Sequence, residues 1–421
     1  MAKERPELQV WLDAPEICKG MLQIGTLYPD WTRTDLPAAF EYTDVWLERP
    51  ECFMIDPKLD LYQGAQHSPS NRGFGIFLDS APDRWGSKLI QRREVMRATK
   101  EGRQAKMLSP LELMLGVHDL TRSGALRFCE EPNRFLDDDA SFSAPPITSL
   151  AKLAAVAREL DDDRAENRPE YEQWLSLLVA PGSSLGGARP KAVFREGSGA
   201  LWLAKFPGKK DAYDWGLWEF LTHNLARAAK IDVPPSRLQK YGDEYHTFCV
   251  KRFDRGVGED SLARRMYTSA MTLLERNDGD DGSYLDLVQI LEDIGGKGLT
   301  QDLRQMFRRA VFNLLMGNRD DHLRNHGFIY TESGWRLSPA FDMNPNPAKG
   351  EHALSWDGIN PVPNIDVLWN TYPYYRLSAN EAQAILDEVL AVVATWRQEA
   401  NRLNASRVEI EMMSAVIQTD I

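Results

Sequence analysis

A long amphipathic helix followed at once by a very polar loop restricts the architectures open to this chain. In QDLRQMFRRAVFNLLMG, residues 301–317, apolar side chains repeat at intervals of three or four, which predicts a helix with one face in a core. Residues 316–325, MGNRDDHLRN, then contain two aspartates, two arginines, two asparagines and a histidine. A loop with so many polar side chains beside a buried helix is a candidate functional site.

The composition predicts a multidomain protein of the cytoplasm. At 421 residues, and with about 100–200 residues in a typical domain, the chain should contain two or three domains. Its four cysteines show no Cys-x-x-Cys spacing, so we expect reduced thiols rather than a disulfide framework or a zinc ribbon. The first residues, MAKERPELQV, contain no apolar leader, and no stretch approaches the roughly 20 apolar residues of a membrane span. We therefore expect a soluble, cytoplasmic protein without membrane contacts.

The excess of acidic side chains argues against unaided binding of nucleic acid. Lysine and arginine together number 50, against 62 aspartates and glutamates, which gives a formal net charge of −12. Such a charge repels phosphate backbones at long range. Contact with DNA would therefore need a local basic site or a partner protein.

The pattern of the sequence changes twice, which predicts three segments and an α+β fold. Residues 1–140 mix short apolar runs with proline, glycine and aspartate, as expected of a small α+β module. An acidic run with Pro-Pro at 135–149 marks the end of that module. Residues 141–255 carry strand patterns around a glycine-rich loop, and residues 256–421 are helical in pattern. The predicted architecture is a β-rich N-terminal lobe, which includes the extra module, and an all-helical C-terminal lobe.

Three polar residues in and after the 316–325 loop have the spacing of a protein-kinase active site. Asp320 and Asn325 are separated by four residues, and Arg319 precedes the aspartate, as in the kinase pattern Arg-Asp-x-x-x-x-Asn. Asp342 follows a predicted strand, turn and strand that would return the chain to the same loop. In this pattern Asp320 is the base that accepts the proton of the attacking hydroxyl, and Asn325 and Asp342 are Mg²⁺ ligands. Each residue alone is equally typical of a loop that caps a helix.

A second group of residues, upstream of the first, suits the phosphates of ATP. The glycine-rich loop GSSLGGARPK, residues 182–191, precedes a strand, a turn and a second strand that contains Lys205. Such a loop can bring backbone N–H groups close to phosphates, and a strand lysine can contact the α- and β-phosphates. Glu219, on the following helix, is the acidic residue that would hold Lys205 in place. Taken singly, these residues also fit an ordinary turn, strand end or solvated helix face.

The histidines of the 316–325 region leave a metal-dependent hydrolase open as an alternative. His322 and His326 are four residues apart, as in the zinc-helix pattern His-Glu-x-x-His, but Leu323 stands where that pattern has its glutamate. A metal held by both histidines with Asp320 and Asp321 therefore ranks below the kinase. We expect His322 to support the loop through hydrogen bonds. We also expect Asp321, which lacks the kinase spacing, to be far less costly to replace than Asp320.

These motifs, taken in order, resemble the HipA family of bacterial serine/threonine kinase toxins. The similarity covers nearly the whole chain and rests on SSLGGARPKAVF, LAKFP, CVKRFDR, GNRDDHLRN and AFDM. The resemblance implies a bilobal protein-kinase-like fold, the cofactors ATP and Mg²⁺, and a HipB-like helix-turn-helix antitoxin as partner. It also implies that operator DNA is contacted mainly through the antitoxin, in agreement with the acidic charge. The protein substrate is an aminoacyl-tRNA synthetase for some members of the family.

The resemblance also assigns roles to single residues. The matches to ATP-binding positions are Ser184, Gly186, Gly187, Ala188, Lys191 and Lys205, together with Lys251 to Phe253, whose backbone matches the hinge at adenine. Ser184, with Ser183 as the adjacent alternative, matches a loop serine whose autophosphorylation inactivates such kinases, since a phosphate there would repel those of ATP. Arg189 and Pro190 depart from the Gln-Glu of better-known members. A pseudokinase corepressor and a small-molecule kinase are the alternatives to a protein kinase toxin.

Overall fold

The computed structural model describes residues 7–30, 38–69, 73–131, 134–138, 144–162, 164–182, 187, 189–242, 244–256 and 262–419. Contacts divide the chain into two compact units. The first unit is Met1–Lys209 with Asp254–Thr268, and the second is Lys210–Phe253 with Ser269–Ile421. The boundaries of the three segments inferred from composition stay a prediction.

The first unit contains an antiparallel sheet with one well-packed face. Within the described residues its strands are β1 (Leu8–Leu12), β2 (Leu22–Pro29), β3 (Ala38–Tyr42), β4 (Gln66–His67), β5 (Leu126–Glu131) and β6 (Arg134–Phe135), in the spatial order β4-β3-β2-β1-β5-β6. Side chains alternate along β1, so Leu8, Val10 and Leu12 are fully buried. The register sets Val10 opposite Phe128, and Leu8 opposite Leu27, so apolar residues of neighbouring strands share the buried face.

Several helices of the first unit begin at polar capping residues. Within the described residues they are α1 (Asp44–Leu47), α2 (Gly75–Leu78), α3 (Arg84–Lys100), α4 (Pro110–Leu115), α5 (Leu150–Leu160) and α6 (Tyr171–Gly182). At α3 the Asp83 carboxylate accepts a hydrogen bond from the Gly86 N–H at 2.7 Å. At α4, Ser109 and Glu112 form a capping box around Pro110. These side chains satisfy N–H groups that have no partner within the helix.

A β-hairpin follows the glycine-rich loop, as the sequence predicted. Its strands are β7 (Lys191–Arg195) and β8 (Leu201–Lys205), which pair antiparallel and place Lys191 directly opposite Lys205. Directly opposed residues of an antiparallel pair extend to the same face. The two lysines of the predicted phosphate site therefore lie on one face of this hairpin.

The second unit is built mainly of helices. Within the described residues the remaining helices are α7 (Trp215–Ala228), α8 (Ala270–Leu273), α9 (Tyr284–Ile294), α10 (Leu299–Met316), α11 (Ile365–Trp369), α12 (Ala379–Val393), α13 (Trp396–Arg402) and α14 (Arg407–Ser414). The remaining strands of the second unit are β9 (Ser236–Gln239), β10 (Thr247–Lys251), β12 (Gly282–Ser283), β13 (Gly327–Thr331), β14 (Gly334–Leu337) and β15 (Leu354–Ser355). Strand β11 (Tyr267–Ser269) begins in the first unit and ends at the first residue of the following segment of the second unit. The α+β class follows from this mixture, but "all-helical" is too strong for the C-terminal part. The β13–β14 hairpin and the β12–β15 pair interrupt its helices.

Helix α10 is the central helix of the second unit. It packs against α9 and α12, and every residue from Met306 to Met316 is buried. The apolar residues of the predicted face are buried, but burial extends around the whole helix in this stretch and is not limited to one face. The helix ends at Gly317, whose φ of 65° is left-handed, and a Cβ at this position would lie 2.6 Å from the Val416 carbonyl oxygen. Only glycine meets both conditions without strain.

Among the helices of the described ranges, none combines the length and the apolar character needed to cross a membrane.

Candidate functional site

The 316–325 loop directs its two neighbouring aspartates to opposite sides. Asp320 lies at the surface, with 58% of its side chain exposed, and forms an ion pair with the Lys349 ammonium group. Asp321 is 3% exposed and lies in the core of the second unit. Because both residues are aspartates, the backbone conformation of the loop after Gly317 decides which of the two carboxylates is accessible from solvent.

Asp321 is the acceptor for a group of buried hydrogen-bond donors. Its Oδ2 accepts hydrogen bonds from the Tyr284 hydroxyl at 2.5 Å, His326 Nε2 at 2.9 Å and Asn313 Nδ2 at 3.1 Å. These donors come from α9, α10 and the segment after the loop, so one carboxylate joins three parts of the unit. The expectation that Asp321 is cheap to replace is therefore wrong for stability, because its removal would leave these buried donors without that acceptor.

The surroundings of Asp321 keep its carboxyl group ionised. Burial by itself raises the pKa of Asp321, but the electrostatic interaction with His326 and the hydrogen bonds from His326 and Tyr284 outweigh burial and lower the pKa. Burial, followed by the Asp321 carboxylate, raises the pKa of Tyr284 well above its usual value. At neutral pH Asp321 therefore accepts hydrogen bonds and Tyr284 donates one.

Asn325 is held next to Asp320 by a short 3₁₀ turn, Leu323–Asn325. The Asn325 side chain is buried, and its Nδ2 lies 3.4 Å from the Asp320 carbonyl oxygen, to which it donates. The backbone N–H of Asn325 donates to the His322 carbonyl at 2.8 Å. With the amide nitrogen facing the loop backbone, Oδ1 is the atom of Asn325 that suits a hard cation. His322 thus supports the loop through its backbone carbonyl.

The β13–β14 hairpin brings the chain back to the loop near Asp342. The Ser338 N–H donates to the Gly327 carbonyl at 2.9 Å, and the Asn344 N–H donates to Asn318 Oδ1 at 3.4 Å. Asp342 lies between these two attachment points and has a left-handed φ of 56°. Such a backbone is costly for a residue other than glycine and is concentrated at functional sites. The predicted return of Asp342 to the neighbourhood of the loop agrees with these bonds.

The predicted hinge also approaches the segment of Asp342. The rings of Phe253 and Phe341 lie 5.3 Å apart at 34°, so the hinge contacts the residue that precedes Asp342. The Lys251 N–H donates to the Pro235 carbonyl at 2.9 Å. Glu219 is buried in α7, and its pairing with Lys205 stays a prediction.

The predicted phosphate site belongs to the first unit. Ser183, Ser184, Gly186 and Ala188 lie outside the described residues. Gly187, Lys191 and Lys205 are described, and Lys205 ends β8. The Lys191 ammonium is buried, forms an ion pair with Asp83 and donates to the Gly187 carbonyl at 3.2 Å. In this structure its positive charge is directed to the protein.

The family model described as "HipA-like C-terminal domain" matches residues 183–396, just over half of the 421 residues. The chain belongs to this family. The matched range contains the glycine-rich loop, the β7–β8 hairpin, the 316–325 loop and Asp342. The resemblance found from the sequence motifs is thus confirmed.

Relatives of this HipA-family chain include proteins named as kinases. A Sinorhizobium fredii protein named "Putative kinase Y4dM" is 30% identical over 162 residues, which cover 35% of this chain and 38% of that protein. The Shewanella oneidensis "Serine/threonine-protein kinase toxin HipA" is 29% identical over 142 residues, which cover 30% of this chain and 33% of the toxin. This chain therefore matches only about a third of the length of these curated relatives.

A solved structure shows the same fold along almost the whole chain. A chain of the complex of Shewanella oneidensis HipA, HipB and operator DNA superposes with a TM-score of 0.66 at 19% identity. The superposition covers 97% of this chain and 94% of that one. The predicted α+β, kinase-like fold is therefore confirmed.

The oxygen atoms of the HipA-family site fit Mg²⁺ better than zinc. Within the described residues, no group of three or more histidine, cysteine, aspartate or glutamate side chains could hold a metal ion. His326 Nε2 is hydrogen-bonded to Asp321 at 2.9 Å, so this nitrogen is already engaged within the protein. An Asn and an Asp are enough for Mg²⁺, which keeps several waters and takes further oxygens from substrate phosphates. Asn325 and Asp342 are the residues that would hold it.

Some residues of the site escaped the sequence analysis. Asn313 had a visible signal, because it is a polar residue within the apolar run AVFNLL of α10. Tyr284, Lys349 and Asp83 had none, since each meets its partner across 29 or more positions of sequence. Long-range packing, which local periodicity does not report, brings these side chains to the site.

Proposed function

We propose that this chain is an ATP- and Mg²⁺-dependent serine/threonine protein kinase of the HipA type. The observation that carries the proposal is the arrangement of the 316–325 loop. Its inward aspartate, Asp321, anchors the loop in the core, so that Asp320 is presented to solvent beside Asn325. The segment of Asp342 is hydrogen-bonded to the same loop. This arrangement suits phosphoryl transfer, in which the protein mainly positions and stabilises charge.

In this proposal each residue has a defined task. Asp320 orients the acceptor hydroxyl and takes its proton, while Lys349 supplies a positive charge beside the Asp320 carboxylate. Asn325 and Asp342 would hold Mg²⁺, which would supply positive charge to neutralise the ATP phosphates. Lys205 and the 182–191 loop meet the phosphates, and the Lys251–Phe253 backbone meets adenine.

Substitution of the base tests the proposal. Asp320→Asn keeps the size of the side chain and removes the proton acceptor, so phosphoryl transfer from labelled ATP should fall by about 10²–10⁴-fold. Asp278→Asn is a matched control, since Asp278 is an exposed carboxylate paired at 3.4 Å with Arg324 of the same loop. Its activity should equal that of the unmodified protein. Undiminished transfer by Asp320→Asn would remove Asp320 from the mechanism.

The identity of the phosphate acceptor separates the protein kinase from its alternatives. We propose a protein serine as acceptor, with Ser184 or Ser183 as the site of inactivating autophosphorylation and an aminoacyl-tRNA synthetase as one candidate substrate. Incubation with labelled ATP and Mg²⁺, alone and in lysate, followed by mass spectrometry, identifies the labelled species. Label on a metabolite alone would favour a small-molecule kinase. Mg·ATP binding without any transfer would favour a pseudokinase.

We further propose a HipB-like helix-turn-helix antitoxin as the partner of this chain. The solved Shewanella oneidensis complex holds HipA with HipB and operator DNA, and the net charge of −12 here leaves DNA affinity to a partner. The antitoxin encoded beside this chain should therefore bind operator DNA alone, and the complex should bind it at least as well. Tight DNA binding by this chain without the antitoxin would contradict the proposal.

A further inference from the structure

A buried ion pair joins the start of α3 to the start of β7 within the first unit. The side chains of Asp83 and Lys191 are 5% and 1% exposed, and they are 108 positions apart in sequence. Asp83 caps α3 with Oδ1, which accepts from the Gly86 N–H, and meets the Lys191 ammonium with Oδ2. One carboxylate thus connects a helix of the N-terminal sheet unit to the hairpin that carries Lys205.

Lys191 extends this connection into the glycine-rich loop. Its Nζ also donates to the Gly187 carbonyl at 3.2 Å. Gly187 has a left-handed φ of 109°, and a Cβ there would lie 3.0 Å from the same Nζ. The backbone conformation favours glycine at this position, and the ammonium group leaves little room for a side chain there. Asp83, Lys191 and Gly187 therefore form one continuous connection.

Stability alone is a poor explanation for such a pair. The cost of removing two charges from water is large, and well-packed apolar residues of similar volume stabilise a fold as well or better. A buried charge pair does fix geometry, because both groups must find their partner at one place. The geometry fixed here is the end of the glycine-rich loop and the strand position opposite Lys205.

We propose that Asp83 is a positioning residue of the nucleotide-phosphate site. It acts through Lys191, which holds the Gly187 carbonyl and the start of β7 in place, and thereby sets the position of Lys205 on the neighbouring strand. Lys191 is then a structural link, and Lys205 is the lysine that meets phosphate. This inference rests on the proposed kinase function and adds α3 of the N-terminal segment to its machinery.

A double-mutant cycle tests the proposal. Asp83→Asn is the informative change, because asparagine caps a helix as well as aspartate does and only the charge is lost. Lys191→Met keeps length without charge. The dissociation constant of Mg·ATP should rise about tenfold or more in Asp83→Asn, with KM rising more than kcat falls, since displacement of Gly187 and Lys205 misplaces the phosphates. In the Lys191→Met background the same change should alter the dissociation constant less than about twofold, because the connection is already broken.

Controls separate positioning from general damage to the fold. Glu94→Gln removes a carboxylate of the same helix, α3, whose ion-pair partner is Arg103, so the Mg·ATP affinity of this variant should be unchanged. If Asp83→Asn does not fold, the double variant replaces it, because no buried charge remains unpaired there. The folded double variant should also bind Mg·ATP about tenfold more weakly than the unmodified protein.

Each outcome has a distinct meaning. Unchanged affinity in folded Asp83→Asn or in the folded double variant, with an unmodified protein that binds Mg·ATP, overturns the positioning role alone. An equal loss from Asp83→Asn in both backgrounds overturns the route through Lys191. An unmodified protein that binds no Mg·ATP overturns the kinase function and the positioning role with it.

Discussion

Replacement of Asp321 by alanine should destabilise the second unit although Asp321 takes no part in the proposed chemistry. Its Oδ2 accepts from Tyr284, His326 and Asn313, so alanine leaves three buried donors without that acceptor. Asn313 Nδ2 still donates to the Tyr284 hydroxyl at 2.8 Å, so only the Tyr284 hydroxyl and His326 Nε2 are left unsatisfied. An unsatisfied buried group costs about 1–3 kcal/mol, and two of them give a loss of about 2 kcal/mol at the low end. Asp321→Asn can place its amide oxygen where all three donors converge, and it loses only the charge. Charge-assisted hydrogen bonds are about twice as strong as neutral ones, so asparagine should cost about half as much.

A local measurement is needed because two compact units need not unfold together. Hydrogen exchange of peptides from α9, α10 and the 316–325 loop, combined with urea denaturation, reports the free energy of unfolding of this region. Asp320→Ala is the matched control. Its side chain is 58% exposed and its ion pair with Lys349 is at the surface, so stability should change by less than about 0.5 kcal/mol. An Asp321→Ala protein as stable as this control would refute the anchoring role of Asp321.

Two further predictions concern the backbone and the pH dependence of the second unit. Gly317→Ala should cost more than Gly358→Ala in urea denaturation: both carry about 1–2 kcal/mol of left-handed strain, but only a Cβ at 317 meets a neighbour, the Val416 carbonyl. Equal losses would contradict the close contact. Burial lowers the pKa of His352 to about 4, against about 6.5 in an unfolded chain. At a pH between these two values, His352 is protonated in the unfolded state and neutral in the folded state. The free energy of unfolding should therefore fall by up to about 3 kcal/mol as the pH drops from 6.5 to 4. His352→Phe, which keeps an aromatic ring beside Trp356, should flatten this dependence, and an unchanged slope would exclude His352 as its source.

Local patterns in the sequence were enough to predict much of the fold and of the site. The apolar repeat of α10 and the hairpin after the glycine-rich loop depend on neighbours three, four or two positions apart, which helix and strand geometry bring to one face. The spacing of Asp320 and Asn325 is likewise local, because only four residues lie between them. The left-handed backbone conformation of Asp342 could not be predicted from the sequence, because the residue is not glycine and no turn motif surrounds it.

What the sequence determined by itself is the order of the chemical groups: a glycine-rich loop, Lys205, Asp320, Asn325 and Asp342, in the order of a kinase and of the HipA family. Only the tertiary structure decided which of the two adjacent aspartates is exposed and which is buried. Asp320 and Asp321 are the same amino acid in adjacent positions, and the donors of α9 and α10 draw one of them into the core. Lys191 was expected to meet phosphate, and its buried partner is Asp83, 108 positions away. Such pairings depend on which surfaces pack together. The local sequence of a segment does not specify which distant residues it will contact.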